Sequence, residues 1–366
     1  MKNKIKYIIT SVVIIAFILG FSLFAWLKPA DDVSLSERRV LAQMPELNKN
    51  SLLSGSFTKN FEKYATDQFP LRDDFRKIKA FCSFNIFNRS ENNGIYNHNG
   101  YLLEVEYPVN EESIDYASQR FNYVYNKYLK EQGIRPYLAV IPHKGQFTAQ
   151  ANGYPNADYD EIVGILKSKT TDFQYIDIKK TLNLEDYYHT DTHWRQENIK
   201  DVAILLGNAM GVDVTAQYEK NELDNEFDGV YSGQYALPTE SEKIYYLTND
   251  TLNNCKVFDY ENNKSISIYD MQKAYGKDPY EMFLSGPLSL VTIENDNAEN
   301  NKELVVFRDS YGSALAPLMA EGYSKITLVD IRYIHPDMVG KYVDFKNADV
   351  LFIYSTSVLN NSETIK

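Results

Sequence analysis

Leu304-Val-Val-Phe307-Arg-Asp-Ser-Tyr-Gly312 sets four consecutive apolar residues directly before a polar turn and the start of a helix. An apolar run this short and closely bounded suits a strand buried on both faces. Around it a helix is expected over 311–321, a strand over 326–329 and a last strand over 350–354. The same alternation extends toward the amino end. Helices are expected at about 111–132, 160–169 and 194–210, the first and last closed by Gly133 and Gly211. Strands are expected over Tyr137-Leu-Ala-Val-Ile141, stopped by Pro142, and over 173–178. Short apolar strands separated by helices predict an α/β fold with a parallel sheet flanked by helices. A hairpin through 95–96 and 101–105 is punctuated by Asn93-Gly94 and Asn99-Gly100. Residues 221–297, rich in Tyr, Asn and Asp, read as an irregular, β-containing insertion.

The chain of 366 residues is 44% hydrophobic and 24% charged, a globular composition that excludes collagen, coiled-coil arrays and wholesale disorder. Its formal net charge is -12, and -15 once Lys2, Lys4 and Lys6 are set aside. A body this acidic does not suit a generic binder of phosphate backbones, so nucleic acid is not an expected partner. Two cysteines, Cys82 and Cys255, make neither a disulfide framework nor a zinc site; one pairing between them is open to the sequence, and two buried free thiols are the favoured reading. The 29 tyrosines would suit stacking on sugars, but a chain rich in Tyr, Asn, Lys and Ile also follows from an AT-rich genome.

Residues 7–27 form an uncharged apolar run behind the basic cluster of 1–6. About 20 such residues are what a helix needs to cross a bilayer, and the basic side stays in the cytoplasm. The competing reading, a cleaved signal peptide, wants a shorter core ending in small residues; here the run ends Leu23-Phe-Ala-Trp-Leu27. The expected organisation is therefore a cytoplasmic tail at 1–6 and a single-pass anchor at 7–27. A tether with amphipathic helices follows at 28–92, then an extracytoplasmic domain at 93–366. Phe57, Phe61 and Tyr64, then Leu71, Phe75, Ile78 and Cys82 after Pro70, place apolar stripes on two short helices that could dock on the main domain or lie against the lipid surface, docking being the default.

Functional groups of parallel sheets gather beyond the carboxyl ends of the strands. Two segments meet that criterion. Tyr187-Tyr-His-Thr-Asp-Thr-His-Trp194 holds two of the five histidines, and Phe307-Arg-Asp-Ser-Tyr-Gly312 exposes Ser310 at a helix start. A serine is a weak nucleophile until a base takes its proton, and the base needs an acid to orient it. Asp191 and His193, two apart, supply that pair; nearby amides would bind an oxyanion. The plain alternatives are helix caps at both places, or a metal held by His189, Asp191 and His193.

Tyr188-His-Thr-Asp-Thr-His-Trp194 resembles the signature of the DHHW family, exported bacterial proteins grouped with alginate O-acetyltransferases in the SGNH-hydrolase-like superfamily. Thr192 stands where that family has its first His, which weakens the metal reading; Asp191, His193 and Trp194 keep the pattern. Ser36-Glu-Arg-Arg39, the segment from Ser54-Gly55 to Phe69-Pro-Leu-Arg72, Asn99-Gly-Tyr-Leu102, Ile141-Pro-His-Lys144 and Arg308-Asp-Ser-Tyr-Gly312 are similar to family blocks, in order. The resemblance implies an SGNH-like sheet and a catalytic set of Asp191, His193 and Ser310, with no metal and no bound cofactor. It implies O-acetyl transfer to an exported polysaccharide, the acetyl donor being delivered across the membrane by an MBOAT-type acyltransferase partner. Gly312, Arg332, Lys144 and Tyr188 are the residues expected to bind the oxyanion or substrate. Arg332 and Lys144 are expected in a basic patch beside Ser310, with a surface ion pair as the plain reading. The acidic body favours a neutral glycan over a uronate polymer. An acetylesterase with the same residues and a non-catalytic assembly protein are the rival readings.

Overall fold

In the computed structural model, which describes residues 2–298 and 300–366, the apolar runs become strands of one eight-stranded sheet. In chain order these are β1 (Tyr137–Ile141), β2 (Gln174–Tyr175), β3 (Lys256–Asp259) and β4 (Lys264–Ile266). Then come β5 (Leu290–Glu294), β6 (Glu303–Arg308), β7 (Lys325–Val329) and β8 (Ala348–Ser355). Their spatial order is β4-β3-β5-β7-β6-β8-β1-β2. The strands from β7 to β2 pair in parallel, while β5, β3 and β4 are added by antiparallel pairing.

Both faces of the sheet are covered, which is why its strands read as unbroken apolar runs rather than alternating ones. Leu304 and Val306 of β6 enter one core with Ala139, Ile141 and Ile353; Val305 and Phe307 enter the other with Leu138, Val140 and Phe352. The helix Glu111–Val124 turns Ile114, Ala117, Phe121 and Val124 to the second core. The helix Lys200–Met210 turns Val202, Ala203, Leu206 and Met210 to the first. Each large side chain fully buried this way contributes roughly 1.5–3 kcal/mol. Gly133 and Gly211 close their helices at φ 69 and 71, where a left-handed residue is needed.

Four local expectations change. The helix expected from residue 194 begins only at Lys200, because Trp194 is withdrawn into the core and bridged to Tyr187, with a single 3-10 turn at Gln196–Asn198. Of the helix expected over 311–321, only Gly312–Leu315 is α-helical; Ala316–Gly322 is 3-10, since Pro317 has no N–H to give and crowds the carbonyl four residues back. The strand expected over 173–178 narrows to β2 at the sheet edge. The β content expected in the segment 221–297 is ordered rather than irregular: it supplies β3, β4 and β5, which extend the sheet by antiparallel pairing.

Register sets the carboxyl ends of four parallel strands level. Phe307 of β6 pairs with Phe352 of β8 and Val329 of β7, and Ser355 of β8 pairs with Ile141 of β1. From β6 the chain passes to β7 on one side, then back across to β8 on the other. The end of β6 is thus the point where strand order reverses, the usual place for a site in such sheets.

The chain divides into two compact units, one of residues up to Asn93 with Ser232–Pro238, the other of Gly94–Tyr231 with Thr239–Lys366. The sheet lies in the second. The first holds the helix Lys2–Leu27, in which Lys4–Leu27 is long and apolar enough to cross a membrane. Helices Ser56–Asp67 and Arg72–Asn85 follow, separated at Pro70 and Leu71. The segment read as a tether is pinned within this unit: Val33–Ser34 pairs with Arg39–Val40, and Arg39 donates to both carboxylate oxygens of Asp67 at 2.9 and 2.5 Å. That guanidinium holds the Asp67 carboxyl down at about 2. Glu37 binds Arg72 and Arg76 at 2.5 and 3.4 Å. Cys82 and Cys255 are half-buried free thiols.

Candidate active site

At the end of β6, Arg308 and Asp309 are fully buried and Ser310 is the first residue to reach the surface. Asp309 fixes the turn with both oxygens: Oδ1 accepts from the Tyr311 amide at 3.1 Å and Oδ2 from the Ser355 amide, at the end of β8, at 2.7 Å. Ser310 is not a cap. Its Oγ lies 2.8 Å from His193 Nε2.

His193 comes from the loop that ends in Trp194. The indole Nε1 donates to the Tyr311 carbonyl at 3.1 Å, and Gln196 Nε2 to the Ala314 carbonyl at 2.9 Å, so this loop is tied directly to the Ser310 turn. Asp191 Oδ1 is 2.6 Å from His193 Nδ1 and also accepts the His193 amide at 3.1 Å; Oδ2 accepts the Val230 amide at 2.9 Å. A carboxylate can only accept, so the Nδ1 proton points at Asp191 and the Nε2 lone pair faces the serine hydroxyl. The Tyr280 ring lies parallel to the imidazole, 3.9 Å away with 11° between planes, and limits its rotation. Asp191 is buried, whereas Thr192, His193 and Ser310 are each partly exposed. Such an arrangement can move the hydroxyl proton to imidazole while the carboxylate steadies the resulting cation.

The loop's backbone is held from below. Lys144 is fully buried, and its Nζ donates to the carbonyls of Tyr188, His189 and Asp191 at 2.9, 3.0 and 2.7 Å. Burial pushes this amine down toward about 7, but three carbonyl acceptors require all three ammonium protons and favour the charged form. Glu242 accepts the amides of His189 and Thr190 at 3.0 and 2.8 Å and the Thr190 hydroxyl at 2.7 Å. Gly229 packs so closely that a Cβ there would stand 2.3 Å from the Thr190 carbonyl carbon and 2.4 Å from the Asp191 nitrogen.

Three expectations are corrected by this geometry. Lys144 belongs to no surface patch: buried beneath the loop, it cannot meet a substrate. Tyr188 is likewise fully buried, edge-on to Phe227 at 5.1 Å, and contributes its backbone. The Gly312 amide is spent on the Asp309 carbonyl at 3.1 Å; the residue is glycine because a Cβ would stand 2.7 Å from Cβ of Arg308. With the Tyr311 amide also engaged, the Ser310 amide is the donor in this turn without a partner among the described residues. Arg332 grips Asp330 through Nε and Nη2 at 2.9 and 2.7 Å, and Arg308 Nη1 approaches the same carboxylate at 3.6 Å. His189 turns its ring edge to Tyr101 at 4.1 Å, and among the described residues no three His, Cys, Asp or Glu side chains gather as a metal site.

Tyr280, Glu242, Gly229 and Asp309 were not singled out as site residues. Asp309 had a local signal, its cap-forming type beside Ser310. The others lie far along the chain, and Tyr280 is one of 29 tyrosines.

Sheet, level strand ends and a hydroxyl at the reversal point define an α/β fold with its candidate site beyond the carboxyl ends of the parallel strands. No protein-family model matches the sequence, and no curated protein matches it. Among solved structures it is similar to a DHHW family protein from Eubacterium siraeum, 21% identical, covering 75% of this chain and 95% of that one at a TM-score of 0.61. It is also similar to Bacillus cereus PatB1 bearing a sulfonyl adduct, 20% identical, covering 72% and 95% at a TM-score of 0.58. The O-acetyltransferase domain of Pseudomonas putida AlgJ superposes more loosely, 13% identical over 73% and 92%, TM-score 0.43. At these identities the likeness to the first two is one of fold, and the first is a protein of the family that the DHHW-like motif resembles.

Proposed function

We propose that this chain is a membrane-anchored O-acyltransferase that carries an acetyl group on Ser310 and passes it to hydroxyls of an exported polysaccharide. The observation that supports this most is the continuous hydrogen-bonded series from Asp191 through His193 to a partly exposed Ser310. In the first half-reaction Ser310 Oγ adds to the acetyl carbonyl as its proton passes to His193 Nε2. The Ser310 amide stabilises the oxyanion. The tetrahedral adduct collapses to a serine ester, and His193 returns the proton to the departing donor group. In the second half-reaction a sugar hydroxyl adds to the ester as its proton passes to His193 Nε2; the adduct collapses with cleavage of the bond from the acyl carbon to Ser310 Oγ, and His193 returns the proton to that oxygen. Asp191 keeps the tautomer throughout.

The apolar helix Lys2–Leu27 supports an anchor that leaves the catalytic unit outside the cytoplasm. Acetyl-CoA is a cytoplasmic compound, so an external site requires a donor carried across the membrane; a multi-spanning MBOAT-type acyltransferase is the proposed supplier. The test is turnover of a chromogenic acetyl ester by the full chain with and without a neutral glycan acceptor. Acetylated glycan formed by the native protein and not by Ser310→Ala supports transfer. Release of acetate alone, unaffected by acceptor, would make the protein an esterase.

A further inference from the structure

Exposed aliphatic and phenylalanine side chains are confined to one part of this molecule. Among the described residues of Gly94–Tyr231 and Thr239–Lys366, the large apolar side chains left exposed are six tyrosines and Met271. In the first unit, beyond the apolar helix, Leu71 is 55% exposed, Ile78 57% and Phe81 54%. Single exposed apolar residues are ordinary, but a concentrated set marks a surface that is covered by something else.

The contacts of these helices with the apolar helix indicate what covers them. The Phe21 ring is stacked on Phe69, centroids 5.5 Å apart and planes 1° from parallel, and edge-on to Phe75 at 5.6 Å. Phe21 precedes the end of its helix at Leu27 by six residues, about 9 Å of rise. If Lys4–Leu27 spans a bilayer, Phe21 lies below the surface, and Phe69 and Phe75 lie there with it. Between the two elements runs a groove of about 640 Å³, lined by Phe17, Phe21 and Ala25 on one side and Phe61, Tyr64 and Phe69 on the other. A depth of about 9 Å falls within the 5–10 Å to which interfacial helices bury their apolar faces. Lys59, Lys63 and Asp73 supply exposed charges on the faces away from the apolar stripes, as such helices keep toward water.

We propose that helices Ser56–Asp67 and Arg72–Asn85 form a collar lying in the headgroup–acyl boundary of the bilayer, with phospholipid tails filling the groove against the span. This rests on the reading of Lys4–Leu27 as a transmembrane anchor.

The experiment uses the full chain, with Cys82→Ser and Cys255→Ser, in phosphatidylcholine–phosphatidylglycerol nanodiscs whose tails are brominated or plain. One fluorescent label at a time is placed at Ile14→Cys, Ile78→Cys, Phe81→Cys or Tyr342→Cys. Bromine should quench Ile14, Ile78 and Phe81 and leave Tyr342 unchanged. Quenching at Ile14 with none at Ile78 or Phe81 would overturn the collar while the span stood. Quenching at Ile78 and Phe81 without Ile14 would keep interfacial helices and overturn the span. No quenching at any of these three sites would remove both.

Discussion

Replacing Lys144 by Met removes the ammonium that gathers three carbonyls beneath the loop carrying Asp191 and His193. Hydrogen bonds to a charged group contribute about 1.5–3 kcal/mol each. Three at the low end give about 4.5 kcal/mol, offset in part because Met needs no desolvation of a charge and because His189 O keeps the Leu102 amide at 2.8 Å. A net loss of about 3 kcal/mol is expected, which a domain of ordinary stability survives folded. Urea unfolding should show a lower midpoint at unchanged slope. The freed loop should also misplace His193 against Ser310, and a shift of about 1 Å costs on the order of 100-fold in rate. Because Lys144 is fully buried, turnover of a small ester and transfer to a glycan should fall together. Lys144→Arg should not restore either, since a planar guanidinium cannot point three protons at three converging carbonyls. An unchanged midpoint with unchanged turnover would refute the reasoning.

Gly229→Ala forces a Cβ to 2.3 Å from the Thr190 backbone, so it should lower the urea midpoint and cut ester turnover more than the fraction unfolded explains. Glu106 is buried and its carboxyl raised to about 7 from 4.5, so the folded state holds a proton that the unfolded state has released. Stability should therefore be full below about 4.5 and fall as pH rises toward 7, by a few kcal/mol at most (about 1.4 per unit); Glu106→Gln should flatten that slope in urea titrations across this window. Arg332→Ala should reduce small-ester turnover and glycan transfer equally, because its guanidinium is committed to Asp330; a loss confined to glycan transfer would give Arg332 an acceptor-binding role.

The central strands were legible because Leu304–Phe307 and Val350–Tyr354 are apolar on both faces, a pattern few other elements produce. Asp191, His193 and Ser310 were legible as residue types at meaningful places, and the structure brings all three within hydrogen-bonding reach. Lys144 is legible in place but not in role. Its position after a strand was visible in sequence, whereas its three carbonyl partners depend on how a distant loop folds over it. Pro317 did carry a local warning against a continuous helix. Strands Lys256–Asp259 and Lys264–Ile266 were hidden because strands this short, the second of them at the sheet edge, depend on their neighbours rather than on their own composition.

The central claim is that Ser310 is the nucleophile, activated by His193. The most direct measurement is intact mass and peptide mapping of the full chain after brief exposure to a sulfonyl fluoride or an activated acetyl ester. One added group on Ser310 is predicted, absent from Ser310→Ala and formed far more slowly in His193→Ala. Modification at another residue, or at Ser310 with the same rate in His193→Ala, would contradict it.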